Sequence, residues 1–254
     1  MAWQSIPTVA LDVDSGIAPA RARAITEALY RRIVALLVVR SGRAEPLASA
    51  CLYWSEGHLI LVTCRHVFDD GASLGDLALP LGDSGRLIAL RTLRARFVEH
   101  PSRDVAVIDL CPMCARNALQ RHWFPVPLHA AGGATRARSE RVVIAGYPYA
   151  QMKRIDGAVY ARPLVFFART IATSVAALRA SYARTALRVD GALVYAPALD
   201  GVSGATVWSI EDERDDIECL LLPTGVQCAF KHDEYVRGEP MMAAREIVAR
   251  LVAR

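Results

Sequence analysis

The feature that most constrains this chain is the length of its apolar runs. They are of strand length, bounded by turn residues, and they recur from one end to the other. Ile33 to Val39 (IVALLVV) is an uninterrupted apolar run of seven, far short of the about 20 residues that cross a bilayer as a helix. It reads instead as a buried strand. Two more runs, ASACLYW (48–54) and HLILVTC (58–64), flank Ser55-Glu56-Gly57, the pattern of a hairpin. LIALRTLRARFVEH (87–100) and DVAVIDL (104–110) are separated by the turn signal His100-Pro101-Ser102-Arg103, which places Asp104 at a strand entrance. The second half repeats the style at 141–148, 163–172, 192–197, 205–210 and 217–230.

Helical signals are confined to the ends. Residues 20–32 have helix-compatible composition, and 240–254 space Ile247, Val248, Leu251 and Val252 at helical intervals among arginines and Glu246, with Met241 and Met242 as packing residues at the entry. The stretch 111–140 carries Pro112, Pro125, Pro127, Gly132 and Gly133 with no long periodic segment, as a connection between two lobes would. The expected division is therefore 1–130, an N-terminal extension and first β unit, and 131–254, a second β unit with a C-terminal helix.

At 254 residues with 53% hydrophobic and 22% charged side chains, the chain can bury a sizeable core and is not a disordered segment. The N-terminus lacks a basic region leading into an apolar one, so a secretory signal is not expected and the reading is cytoplasmic. In a reducing compartment most of the six cysteines, at 51, 64, 111, 114, 219 and 228, are expected to stay thiols. The formal charge of +4 rests on arginine, with Lys153 and Lys231 the only lysines. The arginines are scattered, which does not make the basic patch that nucleic acid requires. No membrane partner is expected.

Three positions can carry chemistry together. A hydroxyl becomes a nucleophile when an imidazole takes its proton, and a carboxylate fixes the tautomer of that imidazole. Ser203 lies in Asp200-Gly201-Val202-Ser203-Gly204-Ala205, where flanking glycines permit a tight turn that aims backbone N–H groups at an oxyanion. His66 follows a β-rich run and Asp104 opens another. Separately, Cys111-Pro112-Met113-Cys114 is followed by His122 and His129. That spacing does not fit a zinc finger, and loop thiols are the reading. The acidic run Glu211 to Asp216 reads as a solvated hairpin loop.

These segments resemble the motifs of trypsin-like (chymotrypsin-fold) serine peptidases of bacterial type: LVTCRHVF the histidine motif, DVAVIDL the aspartate motif and GVSGATV the serine motif, in that family's order. Gly146 to Pro148 adds a segment frequent in the second barrel of bacterial members. The resemblance runs from about residue 45 to about 230. It implies an all-β fold of two six-stranded antiparallel β-barrels, here with a short N-terminal helix and a C-terminal helix. It implies a serine endopeptidase with a His66, Asp104 and Ser203 triad, an oxyanion hole from the N–H groups of Gly201 and Ser203, and no metal or organic cofactor. Its partners would be a protein or peptide substrate and a regulatory protein. The alternative is a catalytically silent scaffold that binds a protein partner.

The departures are specific. The usual Ala-Ala before the histidine is Cys64-Arg65 here, the residues after the serine motif are Ala205 and Thr206, and Val202 stands where activated digestive members have an aspartate. By the same analogy, residues 194–199 and 224–229 would line the primary pocket. Being small or apolar, they point away from a basic side chain.

Overall fold

The computed structural model describes residues 7–12, 15–69, 71–81, 86–130, 140–155, 158–174, 176–212 and 219–253. Positions 131–139 and the acidic residues 213–216 lie outside it, so the division near residue 130 and most of the acidic loop fall at or beyond its edges.

The chain opens with β1 (Thr8–Asp12) and α1 (Pro19–Tyr30). A first sheet follows, built from β2 (Ile33–Arg40), β3 (Arg43–Ser55), β4 (His58–Thr63), β5 (Leu77–Pro80), β6 (Leu87–Ala89), β7 (Arg96–Glu99) and β8 (Ala106–Leu110). Next come α2 (Pro112–Leu119) and β9 (Val126–Pro127), which pairs with β3. The order β6-β5-β2-β3-β4-β8-β7 leaves β6 and β7 unpaired with each other among the described residues, so this sheet is a curved half-barrel.

The second half comprises β10 (Arg141–Gly146), the small hairpin β11 (Met152–Ile155) and β12 (Ala158–Ala161), β13 (Leu164–Thr173), β14 (Leu178–Ser181), β15 (Thr185–Arg188), β16 (Leu193–Tyr195), β17 (Thr206–Asp212), β18 (Cys219–Lys231) and β19 (Tyr235–Pro240). The helix α3 (Met242–Val252) ends the described fold. The path β10-β17-β18-β19-β14-β13 returns to β10 through antiparallel β10–β13 pairing. It therefore closes a six-stranded barrel and removes its edges. The whole is a mostly β, chymotrypsin-like fold.

Burial explains the sequence pattern of the closed barrel. Along β10, Val142 and Ile144 face the barrel interior, while Val143 and Ala145 join the other core, shared with the first sheet. Along β13 the same alternation puts Phe166 inside and Phe167 outside. Strands buried on both faces lose the apolar–polar alternation and read as continuous apolar runs. The larger core gathers Leu36, Leu52 and Ile60 of the first sheet with Leu29 of α1 and Ile247 of α3.

Both ends of the chain cross to the opposite half. β1 enters the second sheet between β13, to which it is parallel, and β15, to which it is antiparallel. α3 packs on β8 of the first sheet, where His100 Nε2 meets Glu246 Oε2 at 2.9 Å.

Two stretches differ from the sequence expectation. The run 87–100 is not one strand: a single helical turn over Leu90–Leu93 splits it, with Leu90 and Leu93 both buried, and Arg94 turns the chain in the left-handed region at φ 47°. Residues 112–119 form α2, which the proline-rich composition concealed. Pro112 sits in the first turn, where its missing N–H costs nothing. The Cys111 carbonyl accepts the Ala115 N–H at 2.9 Å, and Ala115 and Leu119 bury one face. Among the described residues no helix is long and apolar enough to cross a membrane.

Candidate active site

Strand register brings the first two side chains together. β4 and β8 are antiparallel with Thr63 opposite Ala106, so the residues just after β4 lie beside those just before β8. There the chain leaves β4 through Cys64 and Arg65 into a single helical turn, His66–Phe68. Asp104 grips this turn twice: Oδ1 accepts the backbone N–H of His66 at 2.9 Å, and Oδ2 lies 2.6 Å from its ring Nδ1. The backbone bond fixes where the residue sits, and the ring bond fixes how the imidazole is turned.

The carboxylate is partly buried, which by itself pushes its pKa up. Hydrogen bonds from the His66 ring and the backbone N–H groups of His66 and Arg65, together with the imidazole's charge, outweigh that and hold Asp104 below its ordinary 3.8. An ionised carboxylate only accepts, so Nδ1 carries a proton, and in the neutral form of the ring Nε2 presents the lone pair. The side chains are 40% exposed for His66 and 27% for Asp104, so the pair opens to solvent on one side.

The serine turn comes from the other half of the molecule and is pinned to the first sheet by one residue. Ser49, in the middle of β3 and fully buried, uses all of its polar atoms there. Its N–H donates to the Ser203 carbonyl at 2.8 Å, and its hydroxyl donates to the Gly201 carbonyl at 2.9 Å. The same hydroxyl accepts the Tyr147 N–H at 2.8 Å, and its carbonyl accepts the Thr63 hydroxyl at 2.8 Å.

Both flanking glycines are required by space as well as by conformation. Gly201 has φ 89°, and a Cβ there would lie 2.3 Å from the Tyr149 ring. Gly204 has φ 88°, and a Cβ there would lie 2.1 Å from Thr63 Oγ1 and 2.2 Å from the Ser49 carbonyl. Thr63 is three residues before His66, so the contact of Gly204 places Ser203 at the end of β4 from which the histidine emerges.

The hydrogen bonds of the turn run from Val202 N–H to Leu199, from Ala205 N–H to Val202 and from Gly204 N–H to Gln227. Among the described residues, the N–H groups of Gly201 and Ser203 donate to nothing. Such undonated N–H groups beside a serine are able to serve an oxyanion. Ser203 Oγ likewise has no hydrogen-bond partner among the described residues; the structure joins His66 to Asp104 directly and brings Ser203 to the same corner through backbone contacts.

Cys64 lies behind the pair. Its Sγ donates to the Gln227 carbonyl at 2.8 Å. Burial above all, then the Asp104 charge, push its thiol well above 9.0. Among the described residues, the one group of three metal-type side chains is Cys64, His66 and Asp104, and Cys111, Cys114, His122 and His129 do not gather into another. The described cysteines at 51, 64, 111, 114 and 228 form no disulfide with one another.

Tyr182 packs into the core of the closed barrel beside Phe166. It is buried, its hydroxyl donates to the Pro197 carbonyl, and its ring meets Phe230 and His232 edge to face with centroids at 5.9 and 5.5 Å.

Sequence reasoning missed Ser49. The signal for Ser49 was a lone hydroxyl inside the apolar run ASACLYW, since a buried polar side chain needs partners.

A barrel and a half-barrel that meet at a carboxylate-held histidine and a glycine-flanked serine define the class of the chymotrypsin-like peptidases. The chain belongs to the trypsin-like peptidase domain family, whose model matches residues 48–214. No curated protein matches the chain. Family membership supports a function of the protease type.

Proposed function

We propose that this protein is a serine endopeptidase that cleaves protein substrates through an acyl-enzyme formed on Ser203. The observation that carries the reading is the double grip of Asp104 on His66, which leaves Nε2 to act as the base. In the first step Ser203 Oγ attacks the peptide carbonyl while His66 Nε2 takes its proton. The carbonyl oxygen gains the negative charge and is held by the N–H groups of Gly201 and Ser203. Asp104 stabilises the imidazolium without taking its proton, and that imidazolium then protonates the leaving amine. Water enters by the same route in reverse and frees the acid.

A second reading, a closed scaffold that binds a protein without cutting it, is favoured by the Ser203 Oγ, which makes no hydrogen bond to His66. A fluorophosphonate probe separates the two. It should label the intact protein and not Ser203→Ala, and that substitution should lower turnover by about 10⁶-fold. A folded protein that no fluorophosphonate labels would establish the binding scaffold instead.

A further inference from the structure

Cys64 is the departure from the family's histidine motif that the peptidase reading leaves without a task. Its Sγ, a ring nitrogen of His66 and an oxygen of Asp104 all lie within 4.8 Å of one another. Nδ1 is the ring nitrogen on the carboxylate side, 2.6 Å from Asp104 Oδ2, so it is the atom this cluster offers. We propose that Cys64, His66 and Asp104 bind zinc(II), or a divalent cation of similar affinity for sulfur, and that the bound cation switches the peptidase off.

The donor set suits such an ion. Zinc takes thiolate at about 2.3 Å, imidazole nitrogen at about 2.0 Å and carboxylate oxygen at about 2.1 Å. In a tetrahedron those lengths separate the donor atoms by roughly 3.3–3.7 Å. The sulfur has to approach by no more than about 1.5 Å, and the nitrogen and oxygen have to part by about 0.8 Å. A thiolate and a carboxylate together balance the double charge of the cation, which a site with a fully buried sulfur requires. Solvent supplies the fourth position through the exposed side of His66.

The proton balance explains the switch. Cys64 releases its thiol proton to water, and its sulfur exchanges the Gln227 carbonyl for the metal. That carbonyl keeps the Gly204 N–H at 2.8 Å. The imidazole keeps its single proton but moves it from Nδ1, where the metal binds, to Nε2. A protonated Nε2 cannot accept the serine proton, so the general base is lost while the fold is kept. The switch rests on the reading of His66 as that base, whereas the binding of the cation does not.

The test uses the intact, reduced protein and two readouts. Cobalt(II) titration should give a thiolate-to-metal charge-transfer band, and this band should be lost in Cys64→Ala and in Cys64→Ser. Zinc at ten times its dissociation constant should slow fluorophosphonate labelling about elevenfold, as single-site occupancy dictates. A chelator should restore it, and each Cys64 variant should be labelled at the same rate with and without zinc. Cys64→Ser retains a hydrogen-bond donor toward Gln227 should the alanine variant fail to fold. A cobalt band undiminished in both variants, or zinc inhibition equal in both, overturns the site. A band that depends on Cys64 in a protein that no probe labels upholds the cation site and overturns the peptidase reading with its switch.

Discussion

In the half-barrel Asp104 and His66 are neighbours by strand pairing, because the register of β4 on β8 sets the residues just after Thr63 beside those just before Ala106. The serine turn of the closed barrel has no such guarantee. Its position relative to the histidine depends on polar bonds across the interface, three of them made by Ser49. Tyr53 adds one more, 2.8 Å from Thr206 Oγ1 on β17. The Asp104–His66 pair is thus set mainly by strand pairing, whereas the approach of the serine turn is an interface property that a change remote from it can loosen.

The contrast can be broken most strongly from within the half-barrel. Asp104→Asn should lower turnover by about 10⁴-fold, because an amide can hold the imidazole in the wrong tautomer. Because the folded pKa of Asp104 lies below its ordinary 3.8, its contribution to stability is whole above that value. It is lost as the pH falls through the folded value. Acid unfolding followed by circular dichroism should therefore lose that component in the Asn variant. An unchanged acid limb together with unchanged turnover would show that the pair does not act as described.

Ser49→Ala tests the other half of the comparison. It removes the hydroxyl that serves the Gly201 carbonyl and the Tyr147 N–H and leaves both unpaired in a buried place, at a cost of about 1–3 kcal/mol. Urea unfolding should show that loss, and labelling at Ser203 should slow. The low-field Nδ1 proton signal of His66 should stay, since Asp104 still holds the ring. Loss of that signal along with the labelling would mean that the two halves of the site are not independent.

The smallest effect is expected at the C-terminal helix. Glu246→Gln weakens its bond to His100, whose Nδ1 accepts the Ser102 and Arg103 N–H groups just before Asp104. Glu246 is half-exposed, so about 0–1 kcal/mol is expected from thermal unfolding, with little change in turnover. A large drop in turnover would show that α3 positions the aspartate loop more tightly than the half-barrel alone does.

Much of the architecture was legible because burial writes itself into strand-length runs. IVALLVV, HLILVTC and LVFFA mark β2, β4 and β13 directly. Of the three motifs, the histidine and aspartate ones mark residues that the structure joins directly, His66 and Asp104. The half-barrel's open path and the other barrel's closure were not legible, since closure is set by the pairing of β10 with β13 and not by the composition of either. β1 illustrates the same limit: TVALD carries no local sign that its parallel partner begins at Leu164. The helix α2 was hidden by a proline that reads as a breaker yet is tolerated in a first turn.

By itself the sequence determined the residue types able to do acyl-transfer chemistry and the β-rich class of the fold, because hydrophobic periodicity and turn residues are local properties. Tertiary structure alone decided that Asp104 reaches both the backbone and the ring of His66, that Ser49 locks the serine turn to the half-barrel, and that Cys64 comes within reach of the pair. Those contacts join residues far apart in the chain, and only strand register and the packing of one half on the other set such distances.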